Sequence, residues 1–146
     1  MQATTLSAGS AATAGTPATG KVMLWSGRIL SGLVVLFMLM DGAMKLIPLQ
    51  VVIDSSPSMG WPTDLLTLRS MGVVLIVSTL LYAFPSTAYL GAILLTGYLG
   101  GAVAAHVRVA DPLFSHTLFG VYIGVLVWGG LWFRDVRLRA LLPYAR

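Results

Sequence analysis

The sequence predicts an all-α membrane protein that folds as an up-down bundle of four transmembrane helices. First, 57% of the 146 residues are apolar and only 10% are charged, whereas soluble domains usually carry about 25% charged residues. Second, four apolar stretches each reach the ~20 residues that a helix needs to cross the hydrocarbon core. Third, two of the connections between these stretches are short enough to require antiparallel neighbours.

Prolines and polar residues set the bounds of the four helices. Pro48 ends the first helix and Pro85 ends the second, because proline cannot continue a helical hydrogen-bond ladder. Asp111 and Pro112 favour the start of the fourth helix, with the aspartate as N-cap and the proline at the first helical position. The predicted spans are residues 22–47, 65–84, 87–107 and 113–133.

The rest of the chain is short. Residues 1–21 are mostly Ala, Thr, Ser and Gly without an apolar period, which predicts a flexible tail. Residues 22–142 form the predicted membrane domain, and residues 143–146 form a second tail. The long connection at residues 48–64 is predicted to lie along the membrane interface, with Trp61 as its anchor.

Charge asymmetry predicts the orientation in the cell (inner) membrane. Four crossings place both termini on one side, and basic residues are concentrated there. The positive-inside rule therefore predicts that both termini are cytoplasmic. In a membrane protein the net charge of +4 reports orientation before it suggests nucleic acid, so lipid is the expected partner and nucleic acid is not. The basic residues on the terminal side are Lys21, Arg28, Arg134, Arg137, Arg139 and Arg146.

Most other ionisable residues of the helices fall at the opposite, outer helix ends, whereas the inner half is predicted to hold almost none between the helices. Polar groups inside a membrane protein are costly and mark candidate functional sites. The sequence therefore predicts a polar or ligand site at the outer ends, with these candidate residues: Asp41, Lys45, Arg69, His106, Arg108, Asp111 and His116.

Asp41 has two interpretations. It lies 13 residues after Arg28, which places it about 18–20 Å higher and still within the hydrocarbon depth. In the structural interpretation it pairs with Lys45, four residues later, or with Arg69, and locks the first two helices together. In the functional interpretation it is a proton-accepting or ligand-orienting carboxylate.

His106 and His116 flank the third connection and leave several roles open. They could hydrogen-bond a quinone carbonyl, relay protons, or supply half of a metal site that Asp41 or Asp111 would complete. In the structural interpretation they only bind loop carbonyls. The sequence leaves the cofactor open: a quinone is compatible with it, and nothing in it indicates a metal or a haem.

Small and aromatic residues are predicted to pack the bundle. Gly97 and Gly101 form one G-x-x-x-G step and Gly120 and Gly124 form another, a spacing that lets helix backbones approach closely in lipid. The alternative role is to line a ligand slot. Five aromatic residues are predicted to be packing or interfacial belt residues rather than stacking platforms: Tyr82, Tyr98, Tyr122, Trp128 and Trp132.

Three motifs resemble the DoxX-like family of membrane proteins. They are the D-G-x-x-K-L pattern of residues 41–46, the glycine- and alanine-rich residues 97–108 that end in H-V-R, and the D-P-L-F-S-H run of residues 111–116. The closing residues 127–135 fit the same pattern. The resemblance covers about residues 24–142, nearly everything except the tail.

The resemblance implies a four-helix membrane fold. The family is named by similarity to a subunit of an archaeal thiosulfate:quinone oxidoreductase, which implies an association with quinones or redox complexes. Relatives often carry a glutamate in the second helix where this chain has Leu75, and the chain has no glutamate at all. The family-typical polar residues are Asp41, Lys45, His106, Arg108, Asp111 and His116.

The sequence leaves three functions open. The first is a quinone- or redox-associated membrane subunit, and the second is a non-catalytic scaffold or assembly subunit of a membrane complex. The third, a transporter or channel, is disfavoured because the polar residues occupy one end only. The chain has no cysteine and no recognisable catalytic motif, which argues against a self-contained enzyme. Expected protein partners are other subunits or a second copy.

Overall fold

The computed structural model describes residues 18–47, 50–55, 57 and 64–141. Within these residues, four segments are each long and apolar enough to cross a membrane: Gly20–Leu46, Leu65–Ala83, Ala88–Arg108 and Leu113–Arg134. The prediction of an all-α, four-helix membrane fold is confirmed. The helices are α1 (Ala18–Leu46), α2 (Gln50–Ser55), α3 (Leu65–Ala83), α4 (Ala88–Arg108), α5 (Phe119–Arg134) and α6 (Val136–Leu141), with a π-helical turn at Leu113–Thr117 before α5.

The four spanning helices form a ring in chain order. Helix α1 packs against α3 and α5, and α4 packs against the same two helices from the opposite side. Helices α1 and α4 therefore lie opposite each other across the ring. Because consecutive spans are antiparallel, α1 and α4 run in the same direction. We call the end where α1 and α4 finish the polar end, and the end where α1 begins and α5 finishes the terminal end.

Apolar residues divide into an interior set and an outward set. Leu75, Leu95 and Val127 are fully buried at the centre of the ring. In contrast, Leu36 and Leu66 are 69% and 81% exposed, and many other large apolar side chains also face outward. A surface of this kind is stable only in an apolar solvent, so the outer face contacts the lipid bilayer.

Helices α3 and α4 approach most closely at their connecting turn. The hydroxyl of Thr87 donates to the carbonyl oxygen of Leu81 at 2.8 Å, which holds the turn against the end of α3. At Gly91 an added Cβ atom would lie 2.6 Å from the carbonyl carbon of Leu81 and closer still to the backbone of Tyr82. Only glycine permits this backbone contact.

The glycines of the two G-x-x-x-G steps share the same spacing but differ in how closely they pack. Gly120 packs as predicted, because a Cβ atom there would lie 3.0 Å from the carbonyl oxygen of Leu99. Around Gly97, Gly101 and Gly124 no atom lies within 4 Å of the Cβ position. The packing prediction is therefore wrong for these three glycines within the described part of the chain.

The helix bounds differ slightly from those predicted. Helix α1 begins at Ala18 rather than at residue 22, so residues 18–21 belong to the helix although Thr19 and Gly20 have low helix propensity. Residues 1–17, the last five residues and Trp61 lie outside the described part of the chain. At the start of α3, Asp64 accepts a hydrogen bond from the backbone N–H of Thr67 at 2.8 Å, which holds the pKa of this carboxyl below its usual range.

Candidate functional site

Helix α4 ends in a Schellman motif. The backbone N–H of Asp111 donates to the carbonyl of His106, and that of Ala110 donates to the carbonyl of Val107, both at 3.1 Å. Ala110 adopts a φ of 55°, the left-handed conformation that this motif requires and that glycine usually supplies. The motif folds Asp111 back over the last turn of α4, beside His106.

His106 and Asp111 form a close pair as a result. The Nδ1 atom of His106 lies 2.6 Å from Oδ2 of Asp111, and both side chains are largely shielded from solvent, with 18% and 30% exposure. A carboxylate only accepts hydrogen bonds, so Nδ1 is the donor and Nε2 is left available to a ligand. The prediction that Asp111 caps the next helix is wrong, because its side chain contacts His106 instead.

The fourth span begins with a π-helical turn rather than with an α-helix. The carbonyl oxygen of Pro112 accepts from the N–H groups of both His116 and Thr117, at 3.1 and 3.3 Å, and Pro112 precedes the turn instead of occupying its first position. The wider turn places the ring of His116 6.1 Å from that of His106. His116 Nδ1 also lies 2.8 Å from the hydroxyl of Ser115.

Asp41 and Lys45 pair within α1. Both carboxylate oxygens lie 2.6 Å from Nζ of Lys45, and the two side chains are 36% and 19% exposed. Of the two partners that the structural interpretation offers, Lys45 is the one used. Because the pair stays on one helix, it does not lock the first two helices together.

The remaining two candidates lie at the same end but on the outside. Arg69 and Arg108 are both exposed, and neither lines the cavity described next. The structure thus brings Asp41, Lys45, His106 and His116 to a common cavity, with Asp111 held against His106.

A cavity of about 570 Å³ lies between α1, α3, α4 and the start of the fourth span. This volume is within the range of small-molecule sites, about 300–1,000 Å³. Its walls are largely apolar, and its ionisable groups are the Asp41–Lys45 pair and the two histidines. Ser70, Val74 and Gly97 line it and are exposed, so the cavity is open to the surroundings of the bundle.

The arrangement places hydrogen-bonding side chains at one end of a largely apolar cavity. Among the described residues, no group of three or more His, Cys, Asp or Glu side chains is close enough to hold a metal. Hydrogen-bonding groups at one end of an apolar cavity can instead orient a polar headgroup. Sequence reasoning did not single out Tyr98, which also lines this cavity, because a tyrosine in an apolar helix is usually a packing residue.

The terminal end holds a second polar network that the sequence did not predict. Tyr82 is fully buried, where its hydroxyl contacts Ser31 Oγ at 3.0 Å and donates to the carbonyl of Val127 at 2.8 Å. The guanidinium of Arg134 donates to the Tyr82 carbonyl at 3.0 Å and lies 4.9 Å from its ring centre. These contacts link α1, α3 and α5, so the inner half, predicted to hold almost no ionisable group between the helices, contains Tyr82 and Arg134.

Asp135 completes the polar contacts of the terminal end. It accepts a hydrogen bond from the hydroxyl of Tyr89 at 2.6 Å and another from the backbone N–H of Arg137 at 2.8 Å. The Tyr89 hydrogen bond, with help from that N–H, holds the pKa of Asp135 below its usual range. These contacts fix the start of α6 against α4.

Four spanning helices with a largely apolar cavity at one end define a multi-pass α-helical membrane protein. The chain belongs to the DoxX-like family, whose model matches residues 29–130. This range contains all seven candidate residues, and it confirms the resemblance seen in the sequence motifs. Comparisons with curated proteins and with solved structures give no match.

Proposed function

We propose that this protein is a membrane subunit that binds the headgroup of a quinone or quinol at the polar end. The observation that carries the proposal is the cavity, which combines largely apolar walls with the Asp41–Lys45 pair, His106 and His116. Family membership supports it, because the family takes its name from similarity to a subunit of a quinone-reducing complex. A partner protein would supply the redox centre.

His106 is the group best suited to recognise such a headgroup. Asp111 fixes the ring through Nδ1 at 2.6 Å, so Nε2 can accept a hydrogen bond from a quinol hydroxyl. When the ring is doubly protonated, the same atom can donate to a quinone carbonyl. The hydroxyl of Tyr98 and the ammonium of Lys45 offer further donors on the cavity wall.

The fully buried Leu75 limits which residues can exchange a proton with the ligand. It stands where relatives often carry a glutamate, and it belongs to the apolar core instead of the cavity lining. In this chain, any proton exchanged with the ligand would therefore pass through the ionisable groups that line the cavity, among them His106, held by Asp111, and the Asp41–Lys45 pair.

Replacing His106 with phenylalanine is expected to weaken quinol binding about tenfold, the equivalent of one lost hydrogen bond of about 1.4 kcal/mol. The ring volume is kept, so the bundle should still fold. Binding is measured by equilibrium titration of the protein in phosphatidylcholine nanodiscs with a hydroquinone. Arg69→Ala is the matched control, since Arg69 lies at the same end outside the cavity. Unchanged affinity in His106→Phe would count against the proposal.

We also propose that the protein lies in the cell (inner) membrane with both termini in the cytoplasm. The basic residues of the terminal end support this orientation. Because the chain has no cysteine, single cysteines can report it. In intact cells, a membrane-impermeant maleimide should label Ile47→Cys at the polar end but should label Ser86→Cys at the terminal end only after permeabilisation. The reverse pattern would invert the assignment.

A further inference from the structure

We infer that the cavity has two subsites, and that its deeper part takes the hydrocarbon chain of the ligand over a glycine-lined wall of α4. This inference rests on the proposed function, because it assumes a headgroup at the polar end. It adds a ligand class: a ring-shaped polar headgroup that carries a flexible apolar chain, rather than a small water-soluble molecule.

The depth of the cavity supports two subsites. Its wall on α4 extends from His106 down to Gly97, a distance of about 13 Å along the helix axis. Gly97 lies at the middle of α4, and Val74 on the facing wall lies at the middle of α3. The cavity therefore extends from the end of the bundle to about the middle of the membrane, which is deeper than a single aromatic ring requires.

The two parts of the cavity differ in chemistry. The ionisable lining residues, Asp41, Lys45, His106 and His116, lie towards the polar end. The deeper wall is formed by Gly97, Phe37, Val74 and the ring of Tyr98. Such a gradient matches a molecule with one polar end and one apolar end, and it orients that molecule along the membrane normal.

The glycines give the deeper part its width. Among the described residues, no atom outside the adjoining backbone of α4 lies within 4 Å of the Cβ position of Gly97 or Gly101, and both residues line the cavity. Gly100, on the same helix, has equally open surroundings but does not line the cavity. A large side chain at position 97 would therefore fill the deeper subsite, whereas the same side chain at position 100 would extend into lipid.

The experiment compares two probes and two leucine variants. The probes are 2,3-dimethoxy-5-methylbenzoquinone without a chain and the same ring with a decyl chain, both titrated into protein in phosphatidylcholine nanodiscs and corrected for partition into lipid. The wild type is expected to bind the decyl compound about tenfold more tightly than the ring alone. Gly97→Leu should abolish this preference and leave the affinity for the ring unchanged, and Gly100→Leu should behave as the wild type.

Each outcome decides a separate question. If the wild type binds neither probe, the proposed function fails and the inference fails with it. If the wild type binds both probes equally, or if Gly97→Leu keeps the preference for the decyl compound, the inference is overturned while the proposed function stands. Val74→Trp, on the facing wall of the deeper part, provides a second test if Gly97→Leu does not fold, and it should likewise abolish the preference for the decyl compound and leave the affinity for the ring unchanged.

Discussion

Replacing Gly91 with alanine is expected to lower the free energy of unfolding by about 3 kcal/mol, the upper part of the range for overpacked sites. The added methyl group would lie 2.6 Å from the carbonyl carbon of Leu81, and backbone atoms cannot move aside as a flexible side chain can. The two helices must separate, which weakens the contacts of the buried Tyr82. Unfolding is measured by titration with sodium dodecyl sulfate in mixed micelles.

Gly100→Ala is the control for this prediction. It lies on the same helix with open space at the Cβ position, so its free energy of unfolding should be unchanged or raised by less than about 1 kcal/mol, the intrinsic helix preference of alanine. If Gly91→Ala were as stable as Gly100→Ala, the close contact between α3 and α4 would be wrong.

Breaking the Asp41–Lys45 pair is expected to cost more when the lysine is removed than when the aspartate is removed. In Lys45→Leu the short carboxyl group of Asp41 remains at membrane depth without its partner, and we expect a loss of about 2 kcal/mol. In Asp41→Leu the lysine, one residue from the end of α1, can extend its ammonium to the interface, so the loss should stay below about 1 kcal/mol.

The double variant Asp41→Leu/Lys45→Leu completes the cycle. Because it removes both charges together, its free energy of unfolding should return close to that of the wild type. Detergent unfolding of the four proteins provides the measurement. Equal losses in the two single variants, or a double variant less stable than either, would contradict this account of the pair.

The general fold followed from length and hydropathy, because lipid forces a spanning segment to satisfy its own backbone hydrogen bonds. The four spans and their order were therefore predictable, as was the gathering of polar residues at one end. The start of α1 at Ala18 and the π-helical turn were not predictable. Helix ends depend on a few local hydrogen bonds, and the turn depends on how the carbonyl of Pro112 is shared.

The contacts of the candidate site were less predictable than its location. Lys45 was one of the two predicted partners of Asp41, because a spacing of four residues on a helix favours an ion pair. The His106–Asp111 pair depends on a left-handed residue at Ala110, where the usual sequence signal would be a glycine. Gly97 and Gly120 begin identical G-x-x-x-G patterns and both line the cavity, and only their neighbours reveal that Gly120 also packs against α4 whereas the Cβ position of Gly97 is open.

The π-helical turn at Leu113–Thr117 has a consequence for comparing this protein with its relatives. Its hydrogen bonds span five residues, so it amounts to an α-helix with one inserted residue. The insertion rotates everything before it by about 100° relative to the face expected from α5. Because His116 lies within the turn, a homologue lacking one residue of the turn would present its counterpart of His116 at a different angle to the cavity, so a single-residue gap here in an alignment would mark a change in the cavity lining.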